Sequence, residues 1–176
     1  NISRLKQVCV YDLNVDVNFQ TGPLVVGRTM YLTADRETLA IDAATCQEKW
    51  RVREESPSPG QRVNRGAAYL DGRLFRGTGD GDVVSYDAAT GKKLWTTHLA
   101  DAAKGESTPA APIAWNGMIF IGTAGSERYG VKGRVYALDA GSGKRIWETF
   151  TVPTDAPQPG NETMQKQARA TWGNAE

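Results

Sequence analysis

Three segments of this chain follow one template: IDAATCQEKW (residues 41–50), YDAATGKKLW (residues 86–95) and LDAGSGKRIW (residues 138–147). In each, an Asp stands eight residues before a Trp: Asp42 and Trp50, Asp87 and Trp95, Asp139 and Trp147. The copies are separated by 45 and then 52 residues. Self-similarity at such a period marks a repeat architecture, in which each unit buries its apolar faces only by stacking on its neighbours. No other feature narrows the available folds as much.

Short β-like runs precede each copy. Leu24-Val25-Val26 and Met30-Tyr31-Leu32 precede the first. Asp71-Gly72 divides the runs before the second, and Asn116-Gly117 divides those before the third. Such dipeptides between apolar runs predict tight hairpins, because the favoured two-residue turn needs φ > 0. Glycine-rich turns at residues 77–81 and 122–125 follow, and then the runs Val83-Val84-Ser85-Tyr86 and Val135-Tyr136-Ala137-Leu138. Each unit therefore reads as four short antiparallel strands. A single such sheet leaves two faces open, and radial stacking of several sheets is the β-propeller. The expected fold is all-β, with about three four-stranded antiparallel blades in an incomplete ring over residues 1–152. Residues 153–176 carry Pro153, Pro157 and Pro159 ahead of a polar stretch and read as a surface loop leading to the next blade, with room for a short helix over residues 163–170.

The repeated turn has its own chemistry. Asp87 and Asp139 can accept backbone N–H groups across the turn. Gly91 and Gly143, four residues on, can adopt a left-handed conformation. The Trp residues recur in every unit, which points to packing between sheets and away from ligand stacking. Cys46 stands where the other copies have Gly, so the first turn is expected to be strained or differently shaped. Cys9 and Cys46 are too few to imply a disulfide framework or a zinc site and read as free thiols.

Composition excludes other classes. The net charge of +1 gives no nucleic-acid footprint. No apolar run approaches the ~20 residues that span a bilayer. The single His98 has no metal-site spacing around it and reads as an exposed strand end.

The docking template Ala-x-Asp-x-x-x-Gly-x-x-x-Trp, joined with Asn64-Arg65-Gly66 and with residues 121–127 and 130–133, resembles the quinoprotein dehydrogenases, which carry pyrroloquinoline quinone (PQQ). The resemblance runs from Asn1 to Glu176. It implies W-type blades, an eight-bladed parent of which this chain is an N-terminal part, and an N-terminal strand at residues 8–13 that helps close the last blade. It implies a periplasmic enzyme that oxidises an alcohol or polyol and passes electrons to a cytochrome c or a membrane quinone. It also implies a Ca²⁺ or lanthanide ion, acting as a Lewis acid at the quinone.

Carried over by position, the resemblance assigns Glu127 to the metal, where a hard cation prefers oxygen. It assigns Arg65 to the quinone oxygens, which suit a planar guanidinium. Gly125 and Ser126 lie in the matching loop, whose N–H groups can meet a carboxylate. Gln20 stands where the family has an acid, Ala124 where it has a Ser, and Pro109 where it has a Thr, with Thr108 adjacent as a substitute contact. Pro59-Gly60 stands where many members have two adjacent cysteines. The pattern is that of a divergent branch. The family's general base, its Asn metal ligand and its tryptophan floor belong to later blades, and Trp172 only resembles the segment before that floor. Tyr129, Lys132 and Arg134 read as solvated loop charge and packing. The competing reading is a non-catalytic propeller of the same repeat, acting as a scaffold or interaction module, because fold alone does not fix function.

Overall fold

In the computed structural model of the chain, residues 2–14, 16–55, 63–128, 130–154 and 162–172 are described. The repeats become three four-stranded antiparallel sheets, each a meander in chain order. Blade 1 holds β1 (Leu24–Val26), β2 (Thr29–Thr33), β3 (Glu37–Asp42) and β4 (Glu48–Arg53). Blade 2 holds β5 (Ala68–Leu70), β6 (Arg73–Gly77), β7 (Asp82–Asp87) and β8 (Lys93–His98). Blade 3 holds β9 (Ile113–Trp115), β10 (Met118–Gly122), β11 (Arg134–Asp139) and β12 (Arg145–Phe150). The first hairpins of blades 2 and 3 turn at Asp71-Gly72 and Asn116-Gly117, all four with positive φ, as the two-residue turn requires.

The Asp-to-Trp segment forms the turn from third to fourth strand and then the docking residue. Asp87 Oδ1 accepts from the backbone N–H and hydroxyl of Thr90, and Asp139 Oδ1 accepts the same pair from Ser142. Each Trp stands across the ladder from a small residue: Trp50 from Ala40, Trp95 from Ser85, Trp147 from Ala137. A bulge follows at the same place in all three blades. The indole then reaches the next blade. Trp50 Nε1 donates to the Ala88 carbonyl at 3.0 Å, and Trp95 Nε1 donates to the Ala140 carbonyl at 3.2 Å. The rings lie against Gly91 and Gly143, where a Cβ would come within 2.7 and 2.6 Å of them. Glycine is required there twice over, by φ of +74° and +73° and by the ring.

Two apolar clusters weld the blades. Tyr31, Ala40, Leu74 and Ala88 join blades 1 and 2. Phe75, Val83, Ile119, Ile121, Tyr136 and Leu138 join blades 2 and 3. Burial follows from the stacking: β6 is buried along nearly its whole length, whereas β10 alternates because one face of blade 3 has no neighbour. Ile113, Trp115 and Ile146 of blade 3 are exposed. Arg76 is the largest fully buried side chain. Its guanidinium donates to the carbonyls of Ala34, Asp35, Glu37 and Gly77 and to the Thr38 hydroxyl, so it caps the neighbouring blade's turn across the interface. Removing such a group would leave several buried carbonyls unpaired.

One expectation needs correction and three need detail. Cys9 and Cys46 are not free thiols; they form a disulfide, with no free cysteine left. Closing a span of 37 residues stabilises by about 4 kcal/mol on the chain-entropy relation. The Cys46 turn is strained, as one of the two alternatives expected, but not differently shaped. Cys46 takes φ of +59°, and its N–H bonds the Asp42 carbonyl at 2.8 Å, as those of Gly91 and Gly143 bond Asp87 and Asp139. Residues 8–13 join no ladder among the described residues; the last blade, with which they are expected to pair, is not one of these three sheets. They lie instead against blade 1 through side chains: Tyr11 and Leu13 pack on Leu32, Leu39 and Ile41, and Tyr11 bonds Glu48. Finally, the tail is more than a loop. α1 (Glu162–Trp172) is anchored by Gln165, whose amide donates to the Thr149 hydroxyl at 3.1 Å.

Candidate functional site

The first strand of each blade is entered from the same end of the molecule, and these entries are tied together. The Gly22 N–H donates to the Arg65 carbonyl at 3.3 Å, and the Arg65 N–H donates to the Pro109 carbonyl at 2.9 Å. Gly22 and Gly66 form a parallel bridge. The Arg65 peptide is thus held from both sides, by blade 1 and by blade 3. Its side chain is exposed and, among the described residues, makes no hydrogen bond or ion pair. Asn64 explains the rigidity. It is 1 % exposed; its Oδ1 accepts from the Thr33 hydroxyl and the Gly66 N–H, and its Nδ2 donates to the Gly77 carbonyl at 2.8 Å. Gln20, two residues before Gly22, is exposed at the same end.

The loops between second and third strands reach this end too. They span three residues in blade 1, four in blade 2 and eleven in blade 3. The blade-3 loop, residues 123–133, carries Gly125, Ser126 and Glu127. It accounts for the whole increase in repeat spacing from 45 to 52 residues. Ser107 and Ala124 pair through both backbone hydrogen bonds, at 3.1 and 2.8 Å, which fixes the root of the loop beside the entry to β9. Gly125, at φ of +119°, sits on the Gly105 carbonyl; a Cβ would come within 2.4 Å of that oxygen. Arg128 lies across Gly105 in turn. Ser126 and Glu127 stand exposed at the tip.

Beneath the loop, Glu106 is 6 % exposed and accepts from the Asp101 N–H and from Arg134. The Arg134 guanidinium also lies 4.8 Å from the centre of the Phe150 ring. Arg134 is therefore a packed support and not a solvated loop charge. Thr108 is fully buried. Its hydroxyl donates toward the Asp82 carbonyl at 2.7 Å and accepts from the Thr78 N–H at 3.1 Å. The hydroxyl stitches blade 2 to blade 3, which leaves it no free donor for a ligand. His98 is an exposed strand end whose Nδ1 lies 2.7 Å from Asp82. Pro59-Gly60 and Tyr129 lie outside the described residues. Glu106 and Arg76 carry no motif, and Asn64 was visible only as part of the Asn64-Arg65-Gly66 segment.

A cleft of about 440 Å³ lies elsewhere, between the N-terminal segment and the blade-1 turn, lined by Asp16, Asp35, Glu37 and Arg53 among others. It contains none of the candidate residues.

The donor set can be tested against the expected group. An exposed, unpaired guanidinium on a rigidly held peptide suits an anionic cofactor with adjacent oxygens. For a hard cation the chain offers less. No group of three or more His, Cys, Asp or Glu placed so that it could hold a metal ion occurs among the described residues. Glu127 is a single carboxylate, and such an ion takes six to eight oxygens. The residues are compatible with one wall of a quinone and cation site and do not by themselves complete a cation site.

Among known proteins, residues 1–176 match the PQQ family described as glucose/ethanol/alcohol dehydrogenase, β-propeller domain. The chain is 33 % identical over 189 residues to the dehydrogenase subunit of alcohol dehydrogenase (quinone) of Gluconobacter oxydans, covering 98 % of this chain and 25 % of that protein. It is 34 % identical over 179 residues to the quinohemoprotein alcohol dehydrogenase of Comamonas testosteroni, again covering 98 % of this chain and 25 % of that protein. Of solved structures, a europium-containing methanol dehydrogenase superposes with a TM-score of 0.77 at 33 % identity, over 88 % of this chain and 28 % of that one. The chain spans about a quarter of the length of the curated relatives it matches.

Proposed function

Since the chain belongs to the PQQ glucose/ethanol/alcohol dehydrogenase β-propeller family, we propose that it builds one wall of a pyrroloquinoline quinone site in a dehydrogenase for alcohols or polyols. When bound, the quinone accepts the hydride of the substrate and a Ca²⁺ or lanthanide ion supplies the Lewis acid.

The observation that carries this reading is Arg65: its peptide is clamped between two blades and its guanidinium is unpaired among the described residues. Arg65 binds and orients the cofactor oxygens with two parallel donors. Gln20 offers an amide beside it, uncharged where the family has an acid. Gly125 lets the loop backbone come close to a ligand, and Ser126 adds a hydroxyl. Glu127 gives the cation one carboxylate. Thr108 acts one layer back, by fixing the blade interface. The general base, the other cation ligands and most of the substrate pocket lie on blades outside this chain. The disulfide suits an oxidising compartment. We place the protein in the periplasm, with a cytochrome c or membrane quinone as electron acceptor.

The test is a quinone titration of the full-length protein, followed by absorbance or calorimetry, with and without Ca²⁺. Arg65→Ala should weaken binding by about 10- to 100-fold, the loss expected for a charged hydrogen-bonded group. Glu127→Ala should bind with little dependence on the cation. A folded full-length protein that binds no quinone would leave the scaffold reading.

A further inference from the structure

The outermost strands of blades 2 and 3 share one entry pattern, which blade 1 lacks (Gln47-Glu48-Lys49-Trp50) and the N-terminal segment repeats. Lys6-Gln7-Val8-Cys9 aligns with Lys92-Lys93-Leu94-Trp95 and Lys144-Arg145-Ile146-Trp147, and Leu13 aligns with Leu99. Cys9 therefore stands where a docking Trp stands. Its disulfide partner, Cys46, stands where the next blade offers the docking Gly. At Gly91 and Gly143 the bound ring leaves no space for a side chain. A residue with a Cβ at position 46 and a docked ring are thus mutually exclusive, and here both halves of the pair differ from those of the other junctions.

The residue two places after Cys9 supports the equivalence. Thr97, two after Trp95, donates to the Gly143 carbonyl at 2.7 Å, on the turn that Trp95 meets. Tyr11, two after Cys9, bonds Glu48, immediately beyond the turn that Cys9 meets. Arg51 adds a bond to the Leu13 carbonyl at 3.1 Å. The carbonyl of Ala43 corresponds to those of Ala88 and Ala140, which take the indole N–H in the other blades.

We infer that the Cys9–Cys46 disulfide replaces a tryptophan-on-glycine docking contact at the free face of blade 1. The junction before blade 1 is thereby held covalently, and among the junctions of the described residues it alone responds to reduction. A phosphine reductant opens it by converting the S–S bond to two thiols, with two electrons from the phosphine and two protons from water, the phosphine becoming its oxide.

The experiment compares thermal midpoints of the full-length protein, with and without a phosphine, for the wild type and three double variants. Wild type should lose several degrees on reduction. Cys9→Ser with Cys46→Ser should melt at the reduced wild-type midpoint and ignore the phosphine. Cys9→Trp with Cys46→Gly should regain most of the oxidised midpoint and also ignore the phosphine, because it restores the ring, the glycine and the Ala43 acceptor. Cys9→Ser with Cys46→Gly relieves the left-handed backbone without restoring a ring. If it recovers as much as the Trp and Gly pair, or if that pair melts with the serine pair, the inference is wrong. Peptide mapping of unreduced wild type needs no variant to fold: a linked Cys9–Cys46 peptide supports the inference, and two free thiols overturn it.

Discussion

Asp87 and Asp139 hold the same small device in two blades, and it titrates. The Thr90 hydroxyl and then the Thr90 N–H keep the Asp87 carboxyl below its ordinary range; the Ser142 hydroxyl and N–H do the same for Asp139. A carboxylate with a lower pKa in the folded state contributes stability above its unfolded value, ~3.9, and loses it as pH falls through the folded value. Urea midpoints should therefore fall between pH 5 and pH 2.5. In Asp87→Asn, which keeps an acceptor but cannot titrate, the fall should be smaller; an unchanged pH dependence would contradict the assignment. These two turns were readable from residue types alone. At the Cys46 turn the expected strain is present, in a left-handed residue that carries a side chain, whereas the expected change of shape is not. Here the Asp42 hydrogen bonds hold the same shape, and the side chain is used by Cys9.

At the scale of the element, the blade junction rests on Trp against Gly. Two glycines separate its components. Gly72 and Gly91 have φ of +77° and +74°, but a Cβ at Gly72 meets nothing within 4 Å, whereas one at Gly91 meets the Trp50 ring at 2.7 Å. Gly72→Ala should cost the backbone penalty alone, of order 1–3 kcal/mol. Gly91→Ala should cost that plus expulsion of the ring, a further ~1–3 kcal/mol, with a red shift of tryptophan emission that Gly72→Ala lacks. Equal costs and equal spectra would remove the docking account. The strands, hairpins and docking residues were legible because each rests on local chemistry repeated three times. The Arg76 cap and the Glu106–Arg134 support were not, since each joins residues far apart in sequence that no repeat marks; the disulfide was not, because the repeat marks both its positions but not their pairing. α1 was only partly legible, having a polar sequence with no buried residue.

For the molecule as a whole, three blades set the entries to their first strands side by side and fasten them with backbone hydrogen bonds. The candidate site follows from that arrangement. The Arg65 peptide is fixed by the entry network, and Glu127 is carried by the longest of the three loops between second and third strands, whose seven extra residues are legible in the repeat spacing of the sequence itself. The chemistry those residues serve was legible only through resemblance to a family, because one carboxylate and one guanidinium are not by themselves a signature. The most direct test is the anomalous signal of a lanthanide in crystals of the full-length protein grown with the quinone. The account predicts one peak about 2.3–2.6 Å from a Glu127 carboxylate oxygen, the hard-cation range, with the Arg65 guanidinium on the quinone oxygens. A fully occupied peak away from Glu127, with Arg65 free of the quinone, would contradict it.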